Sequence, residues 1–318
     1  MVAIIILNYN NAENTISCIQ SILQYNTVPV KIIVIDNGSS DNSIQEVNQF
    51  FCKVENDNYK CIQNKTPKDN IQYPLPEFVF FLNNKNDGYA KGNNYGLELI
   101  DKDYEIDKVL ILNNDILFVE DIIPCLQKAN DQLQESGIIS PILYTKELKD
   151  IDYTCARKSP SNWNLIVNLL SMNMNIGGLR NKIEENGFIL KQKPDLIHEE
   201  MIEIELPSGS CMFFDKKLFK EIGWFDTHTF LYYEENILYK KMQLIGKTNY
   251  ILPRVKCIHL GASTIKSKVS SFIIKCNTQS CEYYLEQYGN LSILQKLFLK
   301  IGVYMMKIKI LIFKMKEK

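Results

Sequence analysis

Residues 109–118 have the sequence VLILNNDILF, and this stretch decides the fold. Its first four residues are apolar and lie between a charged run and the polar triplet Asn113-Asn114-Asp115. A short apolar run of this kind predicts a β-strand that is buried on both faces. A carboxylate just past such a strand lies where open α/β sheets bind ligands, so Asp115 is a candidate metal ligand. Asn-Asn-Asp is also a common turn sequence, and the triplet alone leaves both interpretations open.

An apolar strand followed by a polar loop and a helix occurs four times in the N-terminal half of the chain. The predicted strands are residues 2–7, 31–35, 78–82 and 108–112. The predicted helices are residues 12–25 and 43–51, a helix that follows the loop 83–96 and ends near residue 100, and residues 121–134. This order predicts a parallel sheet with right-handed crossovers, in which the polar loops lie at one edge. Residues 52–77 are polar and contain three prolines, so we expect an irregular insertion there.

The C-terminal half has a weaker pattern. Its predicted strands are residues 138–143, 202–206, 209–214 and 255–258, and its predicted helices are residues 215–222 and 237–244. Residues 146–205 show no clear period. We expect a mobile segment there that lies over the polar edge of the sheet.

Composition limits the class of protein. The 318-residue chain has a net charge of −1 and is 46% hydrophobic. A domain that binds nucleic-acid phosphates is usually basic, so we expect no nucleic-acid partner. The nine cysteines include no CxxC pair, which is typical of reduced thiols rather than of a disulfide framework or a zinc site. The apolar run 2–7 is too short for a signal peptide and lacks a basic flank, so we expect a cytoplasmic protein.

Several short motifs, taken in order, resemble glycosyltransferase family 2, and in particular its bacterial rhamnosyltransferase-like branch. The resemblance covers roughly residues 2–265. The motifs that carry it are IIILNYN (4–10), VIDNGSSD (34–41), NDGYAKGN (86–93), LNND (112–115), PSGS (207–210), GWFD (223–226), YEE (233–235) and HLGAS (259–263).

The resemblance implies the GT-A (nucleotide-diphospho-sugar transferase) fold, an α/β fold with a mostly parallel central sheet and flanking helices. It implies an inverting hexosyltransferase that binds a nucleotide-sugar donor and displaces the nucleotide in a single step. Asp36 would recognise the base, and Asp41 would belong to the same pocket. The other residues that the resemblance places at the nucleotide are Asn8, Gly88, Lys91, Asn93 and Asn114.

The resemblance also implies the residues of the chemical step. Asp115 would be the last residue of the family's DXD motif and bind a metal through the diphosphate, with His259 as a further metal ligand. The catalytic base would be Glu235 or Glu234. This chain departs from the family pattern in having one carboxylate in Asn-Asn-Asp, and Glu-Glu followed by Ile237 where the branch has Glu-Asp and a second Asp.

Elementary chemistry agrees with these assignments. A divalent cation such as Mg²⁺ or Mn²⁺ stabilises the charge that develops on a leaving diphosphate. A carboxylate can take the proton of the attacking hydroxyl. Each residue also has a structural interpretation: acidic residues at 234 and 235 suit the start of a helix, and a lone histidine such as His259 is commonly a packing residue.

The C-terminal tail, residues 291–318, contains seven lysines and one acidic residue among Leu, Ile, Phe and Met. On a helix, Lys296, Lys300, Lys307, Lys314 and Lys318 share one stripe, and Lys309 and Lys316 lie opposite. Its apolar runs are shorter than the roughly 20 residues that a spanning helix needs. We expect an amphipathic helix on an anionic membrane surface, peripheral to the inner face of the plasma membrane. The alternative is a helix packed on the domain or on a second subunit.

These observations predict a GT-A domain in residues 1–265, with a nucleotide-binding half (1–120) and an acceptor and catalytic half (121–265), and a membrane-associating helical extension (266–318). The expected acceptor is a glycan or a polyprenyl-linked glycan of a bacterial surface polysaccharide such as O-antigen, capsule or cell-wall polymer. Two rivals remain open: a catalytically inactive nucleotide-sugar-binding subunit, and a sugar-phosphate nucleotidyltransferase, which would need a Gly-rich basic loop after the first strand. A homodimer is also left open.

Overall fold

The computed structural model describes residues 1–54, 59–63, 71–145, 148–174, 185–261 and 270–316.

The N-terminal half of the central sheet is wholly parallel. Five strands lie in the order β3-β4-β2-β1-β5, each parallel to its neighbour. They are β1 (Val2–Asn8), β2 (Val30–Asp36), β3 (Tyr59–Gln63), β4 (Phe78–Leu82) and β5 (Lys108–Asn113). The four predicted strands match within one residue, and their polar loops lie at one edge.

The other half of the sheet is mixed. Its order continues β5-β11-β7-β12-β6, with β9 also paired to β12. Its strands are β6 (Ile116–Phe118), β7 (Ser136–Tyr144), β9 (Ile202–Ile204), β11 (Cys211–Asp215) and β12 (Thr248–His259), while β8 (Ala156–Arg157) and β10 (Leu206–Pro207) form a separate pair. Strand β11 is antiparallel to both β5 and β7, so the residues that precede β11 lie at the edge where β5 ends.

Helices cover both faces of the sheet. They are α1 (Ala12–Tyr25), α2 (Ser43–Val54), α3 (Gly88–Ile100), α4 (Ile123–Gln132), α5 (Asn162–Met174), α6 (Ile189–Gln192), α7 (Lys216–Glu221), α8 (Glu234–Leu244), α9 (Ser271–Tyr288) and α10 (Ile293–Lys316). Among the described helices, none combines the length and the apolar character needed to cross a membrane.

Strand β1 shows why its residues are apolar on both faces. Val2, Ile4 and Ile6 belong to one buried cluster, and Ala3 and Ile5 belong to another on the opposite face. Alternate side chains of a strand point to opposite faces, so a strand between two helical layers needs a continuous apolar run. The run IIIL therefore places β1 in the middle of the sheet and its polar end, Asn8, at the edge.

Two N-terminal expectations need correction. Within residues 52–77, which we expected to be irregular, Tyr59–Gln63 forms the edge strand β3; residues 55–58 and 64–70 lie outside the described residues. The segment Gly88–Asn93 is not a loop but the first turns of α3. Some of the asparagines that indicated a loop form the turn before α3. The glycines within α3 allow the helix to lie close to neighbouring elements.

In the C-terminal half, α8 begins at Glu234 rather than at residue 237, so both glutamates lie in its first turn. Strand β12 begins at Thr248 and continues past Pro253, where its pairing with β7 is irregular. The sequence pattern did not predict the full length of β12, because the apolar run is interrupted there. The expected mobile segment 146–205 contains α5, α6 and β8 in its described part. Residues 146, 147 and 175–184 lie outside the described residues.

A third apolar cluster joins the C-terminal helices to the domain. It combines Leu165, Ile166 and Leu169 of α5 with Ile274 and Leu285 of α9. Its residues from α10 are Leu299, Val303, Met306 and Ile310. One face of α10 is therefore packed on the domain. The prediction that the tail is a helix is confirmed. The domain boundary that we expect near residue 265 stays a prediction.

Gly88 lies close to the backbone of the segment before α8. Its φ is +85°, and a Cβ there would lie 2.3 Å from the carbonyl oxygen of Phe230. Gly246 also has a positive φ, +69°, but a Cβ there would meet nothing within 4 Å. An alanine at Gly246 would have backbone strain alone, whereas an alanine at Gly88 would have the strain and a clash. Comparing the two substitutions therefore separates the two destabilising effects.

We expect Gly88→Ala to lower the free energy of unfolding by about 3 kcal/mol or more, and Gly246→Ala by about 1 kcal/mol. Urea unfolding followed by tryptophan fluorescence measures both. Equal losses in the two variants would contradict the close approach of Gly88 to Phe230.

Candidate active site

Asn8 joins the carboxyl ends of β1 and β2 to the start of α1 and to the turn after β5. Its side chain is fully buried; Nδ2 donates to Asp36 Oδ2 at 2.8 Å, and Oδ1 accepts from the Thr15 hydroxyl at 2.8 Å. Asn114 Nδ2 donates to Thr15 Oγ1 at 3.0 Å and approaches Asn8 Oδ1 at 3.4 Å. One amide thus ties β1 to β2, to α1 and to the turn after β5. The residues predicted at 8, 36 and 114 are brought together.

Asp36 is fully buried, and its carboxylate holds the loop that follows β2. Its Oδ1 accepts from the backbone N–H groups of Gly38 at 3.1 Å and Ser39 at 2.9 Å. With the bond from Asn8, three of the roughly four lone-pair positions of the carboxylate are used. Asp41 is exposed and accepts from the N–H of Ser43 at the start of α2. Both residues shape the loop; Asp41 lies apart from the buried network.

Asn37 was not predicted as a site residue. Its Nδ2 donates to Asn86 Oδ1 and to the Gly88 carbonyl oxygen, and its Oδ1 accepts from Asn83 Nδ2 and from the N–H of Asp87. It therefore fixes the turn that precedes α3 against the loop after β2. Its position within VIDNGSSD was the available signal, but any asparagine in a turn gives the same signal.

Lys91 and Asn93 lie on different faces of α3. Lys91 is paired with Asp87 at 3.3 Å and lies over the ring of Tyr95. Asn93 is fully buried and donates to the carbonyl oxygen of Tyr89, while its Oδ1 has no hydrogen-bond partner among the described residues. Asn93 therefore has an unused acceptor, and the charge of Lys91 is already partly neutralised.

Asp115 and His259 lie side by side. Strands β6 and β12 pair His259 with Ile116, which brings the imidazole to the turn that carries Asp115. The distance from His259 Nε2 to Asp115 Oδ2 is 3.5 Å, and Nε2 is 3.4 Å from the Ser210 hydroxyl. On its other side, Nδ1 is 2.7 Å from Asp152 Oδ2. Asp152 lies in the segment without a clear period, and no sequence signal marked it.

The charges around His259 determine its protonation. Burial alone would lower the pKa of His259, but hydrogen bonds to Asp115 and Asp152, together with their negative charges, raise it to about 9. The imidazole is therefore a cation near neutral pH when nothing else lies beside it. A cation bound at Asp115 would replace that proton.

The Asp115–His259 pair fits a divalent metal that is also bound by phosphate. Among the described residues, no group of three His, Cys, Asp or Glu side chains is placed to hold a metal. However, Asp115 Oδ1 is buried and has no hydrogen-bond partner among them. One ring nitrogen of His259 contacts the carboxylate of Asp152, and the other faces Asp115. This arrangement is typical of a metal-binding histidine. Two protein ligands with diphosphate and water oxygens would complete the shell.

Glu234 and Glu235 have opposite environments at the start of α8. Glu234 is buried, and the Thr229 hydroxyl donates to its Oε1 at 3.3 Å. Burial and the charge of Glu235 raise the pKa of Glu234 to about 8. Glu235 is partly exposed; its Oε1 accepts from the N–H of Gly209 at 3.0 Å and lies 3.4 Å from an Arg157 nitrogen. Glu235 is therefore the accessible carboxylate of the two.

Glu235 faces a cavity of about 470 Å³ between α5 and the segment before α8. The wall carries Arg157 and Lys158 together with the polar side chains of Asn164, Asn168 and Asn277. Arg157 Nε and Asn168 Oδ1 are buried atoms without hydrogen-bond partners among the described residues. Unused donors and acceptors beside an accessible carboxylate suit a polyhydroxylated ligand.

The loop 207–210 connects this cavity to the Asp115–His259 pair. The N–H of Gly209 donates to Glu235, and the hydroxyl of the next residue, Ser210, contacts His259. Tyr89, at the start of α3, donates its hydroxyl to the Gly209 carbonyl oxygen. A Cβ at Gly209 would lie 2.9 Å from Glu235 Oε1, so only glycine fits without a shift. The candidate metal ligands and the candidate base are therefore neighbours in space.

Comparison with known proteins matches the chain to one family. A sequence model of the family described as Glycosyl transferase family 2 matches residues 3–223, which is more than half of the chain. A search of curated proteins found no match.

Solved structures share the fold. A crystal structure of GalNAc-T7 with UDP, GalNAc and Mn²⁺ superposes with a TM-score of 0.57 at 13% identity, covering 95% of this chain and 54% of that chain. Residues 1–349 of S. aureus TarS in complex with UDP give 0.51 at 13% identity, covering 94% and 69%. Full TarS gives 0.51 at 12% identity, covering 94% and 42%. These likenesses confirm the GT-A fold, and the chain spans about half the length of the GalNAc-T7 chain.

The buried Glu234 predicts a pH-dependent stability. The folded protein keeps a proton on Glu234 up to about pH 8, whereas the ordinary value is 4.5. Because the folded state binds the extra proton, its contribution to stability is full below pH 4.5 and is lost as the pH rises through 8. Glu234→Gln removes this dependence and raises the free energy of unfolding at about pH 8.5 by roughly 2 to 4 kcal/mol.

Urea unfolding at about pH 5 and about pH 8.5 tests this expectation. Glu286→Gln, which changes an exposed acid on α9, is the matched control. If Glu234→Gln and Glu286→Gln show the same dependence on pH as the wild type, Glu234 is not a buried neutral acid.

Proposed function

Because the chain belongs to glycosyl transferase family 2, we propose that it transfers a sugar from a nucleotide-diphosphate donor to a hydroxyl group of a glycan or polyprenyl-linked acceptor. The observation that carries this proposal is the contact of the loop 207–210 with Glu235 through Gly209 and with His259 through Ser210. A donor bound at Asp115 and an acceptor in the cavity would meet at this loop.

The donor would bind at the carboxyl edge of the parallel strands. Asn8, Asp36 and Asn114 shape the floor of this site, and Asn93 offers an unused acceptor beside it. Asp36 has one lone-pair position left for a base N–H, while Asp41, Gly88 and Lys91 support the surrounding turns. Support for a nucleotide ligand comes from the UDP present in the GalNAc-T7 and TarS structures, which share this fold.

Asp115 and His259 would hold Mg²⁺ or Mn²⁺ together with the donor diphosphate. The ion would stabilise the negative charge that develops on the leaving nucleotide diphosphate. The unpartnered Asp115 Oδ1 and the orientation of His259 by Asp152 support this assignment. The GalNAc-T7 structure contains Mn²⁺, which is consistent with a metal in this fold.

Glu235 would act as the general base. It would take the proton of the acceptor hydroxyl while the hydroxyl oxygen forms a bond to the anomeric carbon. The bond from that carbon to the diphosphate oxygen breaks in the same step, and its electron pair leaves with the nucleotide diphosphate. One displacement inverts the anomeric centre. The bonds from Gly209 and Arg157 orient the Glu235 carboxylate toward the cavity, whereas Glu234 is buried away from it.

The cavity beside Glu235 would bind the acceptor, and its wall includes polar and charged side chains from the 146–205 segment. We also propose a role in bacterial surface polysaccharide synthesis, in O-antigen, capsule or cell-wall polymer, with rhamnose as the first donor sugar to test. This finer proposal rests on the resemblance of the motifs to the rhamnosyltransferase-like branch.

Donor binding tests the proposal directly. We expect the protein to bind one member of a panel of UDP-, dTDP- and GDP-sugars more tightly with Mn²⁺ than without it. Asp115→Ala should weaken that binding at least tenfold, because the ion loses its carboxylate. Isothermal titration calorimetry measures the affinities. Asp121→Ala, an acidic residue beyond the turn, is the control, and a folded wild type that binds no donor would refute the transferase assignment.

The two glutamates are expected to differ in kinetics. Glu235→Gln should lower kcat at least 100-fold and leave donor affinity unchanged, because a carboxamide cannot accept the proton. Glu234→Gln should keep most of the activity, because a neutral side chain replaces a protonated one. Release of nucleotide diphosphate in the presence of acceptor measures both. The reverse ranking would assign the base to Glu234.

A further inference from the structure

Helix α10 has two apolar faces rather than one. Its inner face, formed by Leu299, Val303, Met306 and Ile310, is buried against α5 and α9. Gly302 lets the helix approach α5 closely, because a Cβ there would lie 3.3 Å from the Cβ of Leu169. This face already accounts for the attachment of the tail to the domain.

The outer face of α10, opposite the inner face, is apolar and exposed along the whole helix. Helical periodicity places its residues on one broad surface. They are Ile293, Leu294, Leu297, Ile301, Tyr304, Ile308, Leu311, Ile312 and Met315, with exposures of 54% at Leu297, 61% at Leu311 and 78% at Met315. Soluble monomers rarely expose a contiguous apolar surface of this extent, so this face is expected to have a partner.

A row of lysines lies along one edge of the outer face. Lys296, Lys300, Lys307 and Lys314 are exposed and recur at helical spacing on one edge, and Lys309 lies on the other. Residues 293–316 contain six lysines and no acidic residue. Lys318 lies outside the described residues.

Aromatic side chains extend this surface onto α5. Trp163 is 41% exposed, and its ring packs edge-on against Phe298 of α10 at a centroid distance of 5.8 Å. Tyr304 is 67% exposed near the middle of α10. Tryptophan and tyrosine are enriched where proteins meet the polar boundary of a bilayer. The surface therefore has an apolar centre, a cationic border and aromatic side chains.

We propose that the outer face of α10, together with Trp163, lies in the interface of an anionic lipid bilayer. The apolar side chains would enter the acyl boundary, and the row of exposed lysines at the edge would reach back to the headgroups. A second copy of the chain fits less well, because pairing two such faces brings lysine rows together without acidic partners. The proposal does not depend on the transferase activity.

Vesicle binding of the full chain tests the proposal without donor or acceptor. We expect co-sedimentation with phosphatidylcholine vesicles that contain phosphatidylglycerol, much weaker binding to phosphatidylcholine alone, and loss of binding as salt is added. Leu297→Ser with Leu311→Ser should lower the partition coefficient at least tenfold. Lys300→Gln with Lys307→Gln should lower it roughly tenfold or more on anionic vesicles only.

Matched controls change the same residue types elsewhere on the exposed surface. They are Leu23→Ser with Leu244→Ser, and Lys128→Gln with Lys217→Gln, and neither pair should change binding. Thermal unfolding shows whether each variant is folded. A folded wild type that ignores anionic vesicles overturns the proposal. So does a dimer in sedimentation velocity that Leu297→Ser with Leu311→Ser dissociates, because the face would then belong to a second copy.

Discussion

The buried side chain of Asn8 is the contact on which the site depends. It is bonded to Asp36 and to Thr15, and Asn114 approaches the same oxygen, so one amide holds the ends of β1, β2 and β5 in register. An amide can do this because it offers donors and acceptors together, whereas a carboxylate at the same place would repel Asp36. Apolar strands bring these ends to one edge, and Asn8 fixes how they meet there.

Local pattern predicted the parallel half of the sheet well and the mixed half less well. Strands β1, β2, β4 and β5 are short apolar runs bounded by polar residues, and this signal needs no tertiary information. Strand β3 and the length of β12 were missed because an edge strand tolerates polar residues, and because Pro253 interrupts a run that continues past it. Gly88 indicated a loop, although its positive φ begins a helix.

The sequence also predicted some residues of the candidate site and missed others. Asp115, His259 and Glu235 follow or begin recognisable elements, so the motifs marked them. Asp152 and Arg157 lie in the segment without a period, and their contacts with His259 and Glu235 depend on how distant parts of the chain meet. The burial that distinguishes Glu234 from Glu235 is likewise a property of the packed structure. The sequence left the base open between Glu234 and Glu235, and the packed structure makes Glu235 the accessible one.

The loop 207–210 also limits how independently the two ends of the site can move. Ser210 contacts His259, and one peptide away the Gly209 N–H holds Glu235 while its carbonyl accepts from Tyr89. The Ser210 hydroxyl can rotate about its own χ1 bond, but a shift of the backbone between Gly209 and Ser210 changes both contacts. The spacing of the two ends of the site is therefore set by the geometry of one peptide rather than by side-chain rotamers.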